Sequence, residues 1–141
     1  DYNGHMNVVF YTLAFDSSLD FFLEEILGIG ETHAIKKKQG PFVLQAHYHY
    51  LNEMGLNDEF NVRLLVVDCD KKRMHLCLDI FSKKQKHVIA VAEKVLINVN
   101  LNLRKVEPYP VWAYERLIKI KKTHEKTSFP NVLGKKISLK K

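Results

Sequence analysis

The stretch that decides the fold is Asp1-Tyr2-Asn3-Gly4-His5-Met6-Asn7, which runs directly into the most apolar segment of the chain, residues 8–27. Apolar side chains surround most of the helical wheel of that segment, which predicts a helix buried on most sides. Asn7 is a good N-cap, and the glycines that follow residue 27 supply the stop. The few polar residues of the segment follow helical spacing: Asp16, Ser17, Asp20 and Glu24.

Length and composition favour one soluble domain. The chain has 141 residues, 46% of them hydrophobic, which suffices for one core and not for two ordinary domains, so we expect residues 1–141 to form a single domain. Four carboxylates interrupt residues 8–27, so no segment is apolar enough to span a bilayer, and no signal peptide is visible. We therefore expect a cytoplasmic protein without a membrane partner.

The charge pattern has an ordinary and a functional interpretation. The net charge is +6, and lysines concentrate at residues 36–38, at residues 83–86 and from Lys119 to the end. Solvated lysines that favour solubility are the ordinary interpretation. The functional one is attraction of a polyanion, either nucleic acid or the phosphates of a nucleotide. No zinc finger, RNP-type motif or Arg-rich helix favours nucleic acid, so we predict no nucleic-acid partner and no cofactor.

Strand signals follow the apolar segment. Residues 32–38 suggest a short strand, residues 39–41 a turn, and residues 42–51 alternate like a strand before a break at residues 52–58. The clearest hairpin joins residues 60–70 to residues 73–82 through Lys71-Lys72.

A further long strand and a helix complete the predicted chain. Residues 87–101 read as the strand, residues 111–122 as a short amphipathic helix, and residues from Thr127 onward as a surface tail. The order predicts an α+β fold, in which four or five antiparallel strands curl round one long helix. One curved sheet exposes an edge and an apolar flank, so we expect a homodimer or a higher homo-oligomer.

The two cysteines are predicted to stay apart. A two-residue turn at Lys71-Lys72 pairs Cys69 with Met74, Val67 with Leu76 and Leu65 with Leu78, which makes one apolar face. In that register Cys69 points to the core and Cys77 points away from it, so we expect no disulfide between them.

The opening heptad places a carboxylate, an amide and an imidazole at the positive end of a helix, which suits chemistry on a carbonyl. The same side chains have simpler interpretations: Asp1 and Asn3 as turn formers, His5 as a cap, and Glu53 as a solvated loop carboxylate. His47 and His49 share a strand face, and with His5 they could bind a metal. Because a clear further ligand is lacking, we predict no metal site.

The heptad resembles that of the hotdog-fold thioesterases of the 4-hydroxybenzoyl-CoA thioesterase type, where an Asp-x-x-Gly turn precedes the central helix. Its fuller pattern, Asp1-x-Asn3-x-His5-x-Asn7, is similar to that of the acyl-ACP thioesterases, and Tyr50-Leu51-Asn52-Glu53-Met54-Gly55 matches their Tyr-x-x-Glu-x-Gly segment. The order of elements, with the closing Phe129-Pro130 and Leu133-Gly134, also resembles the thioesterase-like domain of carnitine and betaine metabolism. Those families usually have a strand before the aspartate, and we expect such a strand to be missing here.

The resemblance implies an acyl-CoA thioesterase that acts on an acyl-CoA or acyl-ACP substrate. Asp1 would be the nucleophile or the general base, with Asn3, His5 and Glu53 completing the catalytic set. Substrate contacts would come from the rest of the opening turn and from the first helix: Gly4, Met6, Asn7 and Tyr11.

Three other functions remain open at this point, one of them a basic nucleic-acid binder. A non-catalytic acyl-CoA-binding or interaction module could share the same fold, and a hotdog-type hydratase ranks lower because its Asp and His spacing differs. The absence of a Gly-x-Ser-x-Gly elbow and of a Walker-type loop argues against an α/β serine hydrolase and against an NTPase.

Overall fold

Residues 8–27 form the predicted long helix. In the computed structural model, which describes residue 4 and residues 7–140, helix α1 spans Val8–Phe21 and continues as a π-helical segment, Phe22–Leu27. The Asn7 side chain accepts a hydrogen bond from the Val9 N–H at 2.9 Å, and Gly28 ends the segment in the left-handed region at φ 80°. Both predicted boundaries are confirmed. No helix among the described residues has the length and apolar character needed to cross a membrane.

A curved antiparallel sheet packs against α1. Its strands are β1 (Gln39–Tyr50), β2 (Phe60–Cys69), β3 (Arg73–Ser82), β4 (Val88–Asn100) and β5 (Lys105–Val106). The order across the sheet is β1-β4-β3-β2, with the short β5 also paired to β4. Strands β2, β3 and β4 form the predicted meander, and β1 adds to the far side of β4. The α+β class and the antiparallel sheet are confirmed.

The prediction for residues 32–38 is wrong, because the chain forms helix α2 (Glu31–Lys37) there. Glu31 in the first turn and two lysines in the last turn complement the helix dipole. A test for strand-like alternation does not detect this charge pattern. The predicted turn at residues 39–41 is also wrong, since β1 already begins at Gln39. Pro41 fits in β1 because among the described strands β1 pairs only with β4, which leaves its other edge without a ladder.

The β2–β3 register is correct near the turn and shifts farther from it. Cys69 pairs with Met74 as predicted, but an irregularity between Val66 and Asp68 makes Val66, rather than Val67, the partner of Leu76. Beyond the irregularity every predicted pair is therefore off by one residue. Cys69 packs against the core, whereas Cys77 is buried on the opposite face, opposite Glu93, and both thiols are free.

Only one side of α1 is buried within the chain. Its inner face packs Tyr11, Phe15 and Leu19 against the sheet. The expectation of burial on most sides is wrong, because the outer face leaves apolar side chains more than half exposed: Val8, Val9, Phe10, Leu13 and Phe21. An exposed face of this composition is typical of a surface that another chain covers.

Helix α3 (Val111–His124) closes the fold and confirms the predicted terminal helix. It lies on β2, where the Val66 N–H donates to His124 Nδ1 at 2.9 Å. The residues that follow it are largely exposed, as expected, and Gly134 touches the outer face of the sheet through a hydrogen bond from its N–H to the Glu93 carboxylate at 2.8 Å.

Candidate active site at the start of α1

The start of α1 lies against the segment that follows β1. Gly4 has φ 80°, and its carbonyl oxygen lies 3.9 Å from the position that a Cβ on Gly55 would occupy. Met54, next to Gly55, is 1% exposed. The structure therefore brings Gly4 beside Gly55 of the Glu53 segment. Four predicted site residues, Asp1, Asn3, His5 and Met6, lie outside the described residues, and their roles remain predictions.

Tyr11 joins the helix to that segment. Its ring meets the Tyr50 ring edge to face, with 5.5 Å between centroids. Burial raises the pKa of Tyr11, a backbone hydrogen bond at Met54 lowers it, and the charge of Glu53 raises it. The Tyr11 hydroxyl is therefore within electrostatic reach of the Glu53 carboxylate. The substrate contact by Tyr11 stays a prediction, and the residue is only 5% exposed within this chain.

Two tyrosines of β1, Tyr50 and Tyr48, lie beside Tyr11, and we call these three rings the aromatic wall. Tyr50 stacks on Tyr48 at 6.4 Å, nearly parallel. Burial raises the pKa of Tyr50, as does the neighbouring Tyr48, while a side-chain hydrogen bond with Thr12 lowers it. Sequence patterns place these tyrosines on one strand face but give no sign that they meet the first turns of α1.

The main chain around Glu53 is fixed by the neighbouring β3–β4 turn. Gln85 Nε2 donates to the Glu53 carbonyl oxygen at 2.9 Å, and the Asn52 side chain donates to the Val88 carbonyl at the same distance. The Glu53 side chain itself is exposed. Gln85 had no predicted role, since a glutamine within a lysine-rich turn gives no signal of a contact 32 residues away.

Asn7 acts as a cap. Its side-chain oxygen accepts a hydrogen bond from the Val9 N–H, and its carbonyl oxygen accepts one from the Phe10 N–H at 3.0 Å. Those two donors are therefore used within the helix. Any donors that stabilise an oxyanion at this end of α1 must lie at or before Val8, where the helix dipole also favours negative charge.

The two strand histidines point away from this site. His47 pairs with Glu93 and His49 with Val91, on the face opposite Tyr48 and Tyr50. Across the described part of the chain, no three or more His, Cys, Asp or Glu side chains cluster as metal ligands would.

A small hollow of about 230 Å³ lies on that outer face and includes His47 in its lining. His75 Nε2 lies 2.6 Å from the Glu93 carboxylate there, and this contact belongs to the opposite side of the sheet from α1. The hollow is therefore separate from the candidate active site.

Comparison with known proteins gives concordant results. Residues 1–137 match the model of the thioesterase-like superfamily. The betainyl-CoA thioesterase of Pseudomonas aeruginosa is 25% identical over 139 residues, which cover 99% of this chain and 87% of that protein. An L-carnitine dehydrogenase/betainyl-CoA thioesterase of Rhizobium meliloti is 26% identical over 141 residues; these cover the whole of this chain and 28% of that protein.

Among solved structures, a hypothetical protein from Staphylococcus aureus, determined in complex with CoA, superposes with a TM-score of 0.92. It is 26% identical, and the match covers 99% of this chain and 87% of that one.

Proposed function

The chain belongs to the thioesterase-like superfamily, and on this premise we propose that it hydrolyses an acyl-CoA to the free acid and CoA. The predicted hotdog fold is confirmed by the likeness to solved thioesterase structures. The enzyme class is thioester hydrolase. One structural observation supports the proposal: Gly4, from the first predicted motif, lies beside Gly55, from the segment that contains Glu53.

The proposed chemistry needs a carboxylate, oxyanion donors and a water molecule. Asp1 either activates the water or attacks the thioester carbonyl itself to give an acyl-enzyme that water then hydrolyses. In both routes the carbon–sulfur bond breaks, the thiolate of CoA leaves and takes up a proton, and the acid retains the oxygen from water. N–H groups at or before Val8, at the positive end of α1, hold the oxyanion. Asn3 and His5 orient water and carbonyl, and Glu53 supplies the second carboxylate.

The carrier and the acyl group are suggested by the relatives. The CoA complex of the Staphylococcus aureus protein favours CoA over acyl carrier protein as the carrier. The two curated relatives make betainyl-CoA the first acyl-CoA to test. Two free thiols fit a reducing compartment, and we place the reaction in the cytoplasm on that basis.

We propose that the active protein is a homodimer. The outer face of α1 exposes apolar side chains, and Phe42, Val43 and Leu44 of β1 are each between 44% and 58% exposed. In the sheet of the described residues β1 has β4 as its one neighbour, so its second edge offers unpaired backbone groups. A second copy would cover the apolar face of α1 and pair with that edge.

The thioesterase proposal is tested by incubating the protein, with its native N-terminal sequence retained, with a panel of acyl-CoAs and measuring released thiol. We expect turnover with at least one member. Asp1→Asn and Glu53→Gln should lower kcat by a hundredfold or more, on the order of losing a main electrostatic group at the site. Glu115→Gln is the control because Glu115 is likewise an exposed glutamate, on α3. Absence of thiol release from every acyl-CoA would refute the proposal.

A further inference from the structure

We propose that the turn between β3 and β4, residues 83–87, binds the phosphate groups of CoA, with Lys84 and Lys86 as the cationic contacts. The inference rests on the proposed function, because it assumes that the thioester lies at the start of α1. It gives a function to the lysine cluster at residues 83–86, for which solubility was the ordinary interpretation.

The turn is attached to the candidate active site. Its central side chain, Gln85, donates to the Glu53 carbonyl at 2.9 Å, and its Oε1 lies 2.8 Å from His87 Nε2. Residues just before Glu53 also bond to the start of β4: the Leu51 N–H donates to the Ile89 carbonyl at 2.8 Å. The main chain of the turn that carries the two lysines is therefore held beside the Glu53 segment by hydrogen bonds.

The turn is also held in one shape. The Lys86 N–H donates to the Ser82 carbonyl at 2.9 Å, and the Gln85 N–H donates to the Ser82 hydroxyl at 3.0 Å. Ser82 is completely buried, and its own N–H donates to the His87 carbonyl at 3.0 Å. Because the backbone is already ordered, binding a ligand here would cost little additional conformational entropy.

The charges of Lys84 and Lys86 are available to a ligand. Lys83 lies 3.6 Å from Glu59, but Lys84 and Lys86 are exposed and take part in no ion pair within the described residues. Two lysines elsewhere are engaged by carboxylates: Lys94 by Asp16 at 2.6 Å and Lys121 by Asp68 at 3.0 Å. The turn that carries these ammonium groups is hydrogen-bonded to the Glu53 segment, and the proposed substrate carries phosphates, which lysine binds as a point charge.

The position suits the shape of the substrate. The thioester would lie at the start of α1, and the pantetheine arm must leave the site toward solvent before it reaches the phosphates. The β3–β4 turn is at the same end of the sheet as the Glu53 segment, since Tyr50 at the end of β1 pairs with Ala90 near the start of β4. The turn at Lys71-Lys72 lies at the other end of the same strands.

The test compares Lys84→Gln/Lys86→Gln with Lys119→Gln/Lys122→Gln, a control that removes the same charge from exposed positions of α3. Calorimetry gives the Kd for CoA and for pantetheine, and kinetics compare an acyl-CoA with the same acyl-pantetheine, which lacks the phosphates. We expect Kd and KM for the CoA compounds to rise by about tenfold in the turn variant. Its kcat, its pantetheine values and its melting temperature should stay those of the wild type.

The salt dependence gives a second readout. Added salt should weaken CoA binding to the wild type and to the α3 control, and should affect the turn variant less, because fewer ion contacts remain. If the turn variant binds CoA as tightly as the wild type, or loses acyl-pantetheine turnover equally, the inference is overturned while the thioesterase activity stands. If the wild type hydrolyses no thioester, the proposed function fails, and an unchanged CoA isotherm for the turn variant would overturn this inference separately.

Discussion

The ammonium group of Lys94 lies 2.6 Å from the Asp16 carboxylate, inside the contact between α1 and the sheet. Lys94 is 2% exposed, whereas the side chain of Asp16 is 54% exposed. The ammonium also lies 5.7 Å from the centre of the Tyr48 ring, which belongs to the aromatic wall of the candidate site. The Asp16 carboxylate on α1 thus neutralises the buried charge of Lys94, and the Tyr48 ring lies near the same ammonium group. The ion pair therefore links the middle of α1 to β4.

The two partners should therefore respond unequally to substitution. Asp16→Ala leaves a buried ammonium without its partner and should lower the free energy of unfolding by about 3 kcal/mol. Lys94→Met removes the charge, keeps most of the volume and should change stability far less. Asp20→Ala, one helical turn farther on at an exposed position, is the control and should be close to neutral. Urea unfolding measures all three, and equal losses for Asp16→Ala and Asp20→Ala would contradict the expectation.

Gln85 should matter for catalysis although it touches no substrate in the proposal. Gln85→Ala removes the bond to the Glu53 carbonyl and should lower kcat about tenfold, because small displacements of a positioned group are costly. Gln45→Ala is the matched control, since Gln45 is exposed on β1 and bonds only to His47 in the described structure. Acyl-CoA kinetics and thermal melts on both variants check this. A kcat for Gln85→Ala equal to that of the control would remove the positioning role.

The apolar face of α1 predicts the oligomeric state. Leu13→Lys places a charge at the centre of the face that a second copy would cover, and it should convert a dimer into a monomer. Ile35→Lys introduces the same charge at an exposed position of α2 and should leave the dimer intact. Light scattering after size-exclusion chromatography gives the mass of each. A monomeric wild type, or a dimeric Leu13→Lys variant, would rule out this interface.

The sequence predicts those parts of the fold whose signals are local. Helix α1 and its Asn7 cap, the turn at Lys71-Lys72 and helix α3 all follow from periodicity and capping within a few residues. Helix α2 was missed because seven residues carry too little periodicity to separate a helix from a strand. The irregularity at Val67 was missed because an unpaired residue leaves the alternation of its neighbours looking regular.

The candidate site depends on contacts that are distant in sequence. The motifs at Gly4 and Glu53 can be read from the chain, but the approach of Gly4 to Gly55 exists only in the folded chain. Lys94 reads as a solvent-facing strand residue, although it points to α1 and is buried by its pairing with Asp16. The bond between Gln85 and Glu53 likewise has no sequence signature, so the support of the second carboxylate emerges only from the folded chain.

Cys77 should make the protein sensitive to alkali. Burial raises the pKa of its thiol from 9.0 to about 12, with the carboxylates of Asp79 and Glu93 adding to the rise. Because the folded-state pKa lies above the unfolded one, the stabilisation is complete below pH 9.0 and is lost as the pH rises toward about 12. The full loss from this thiol is roughly 4 kcal/mol.

Unfolding titrations at stepped pH check this expectation. Cys77→Ala should start less stable because it leaves a cavity, yet it should lose less stability than the wild type on raising the pH above 9.0. Cys69→Ala is the control: burial also raises the pKa of the Cys69 thiol, but that side chain is only partly buried, so its effect on the alkaline slope should be smaller. If the free energy of unfolding falls equally with pH in the wild type and in Cys77→Ala, the buried thiol is not the cause of the loss of stability above pH 9.0.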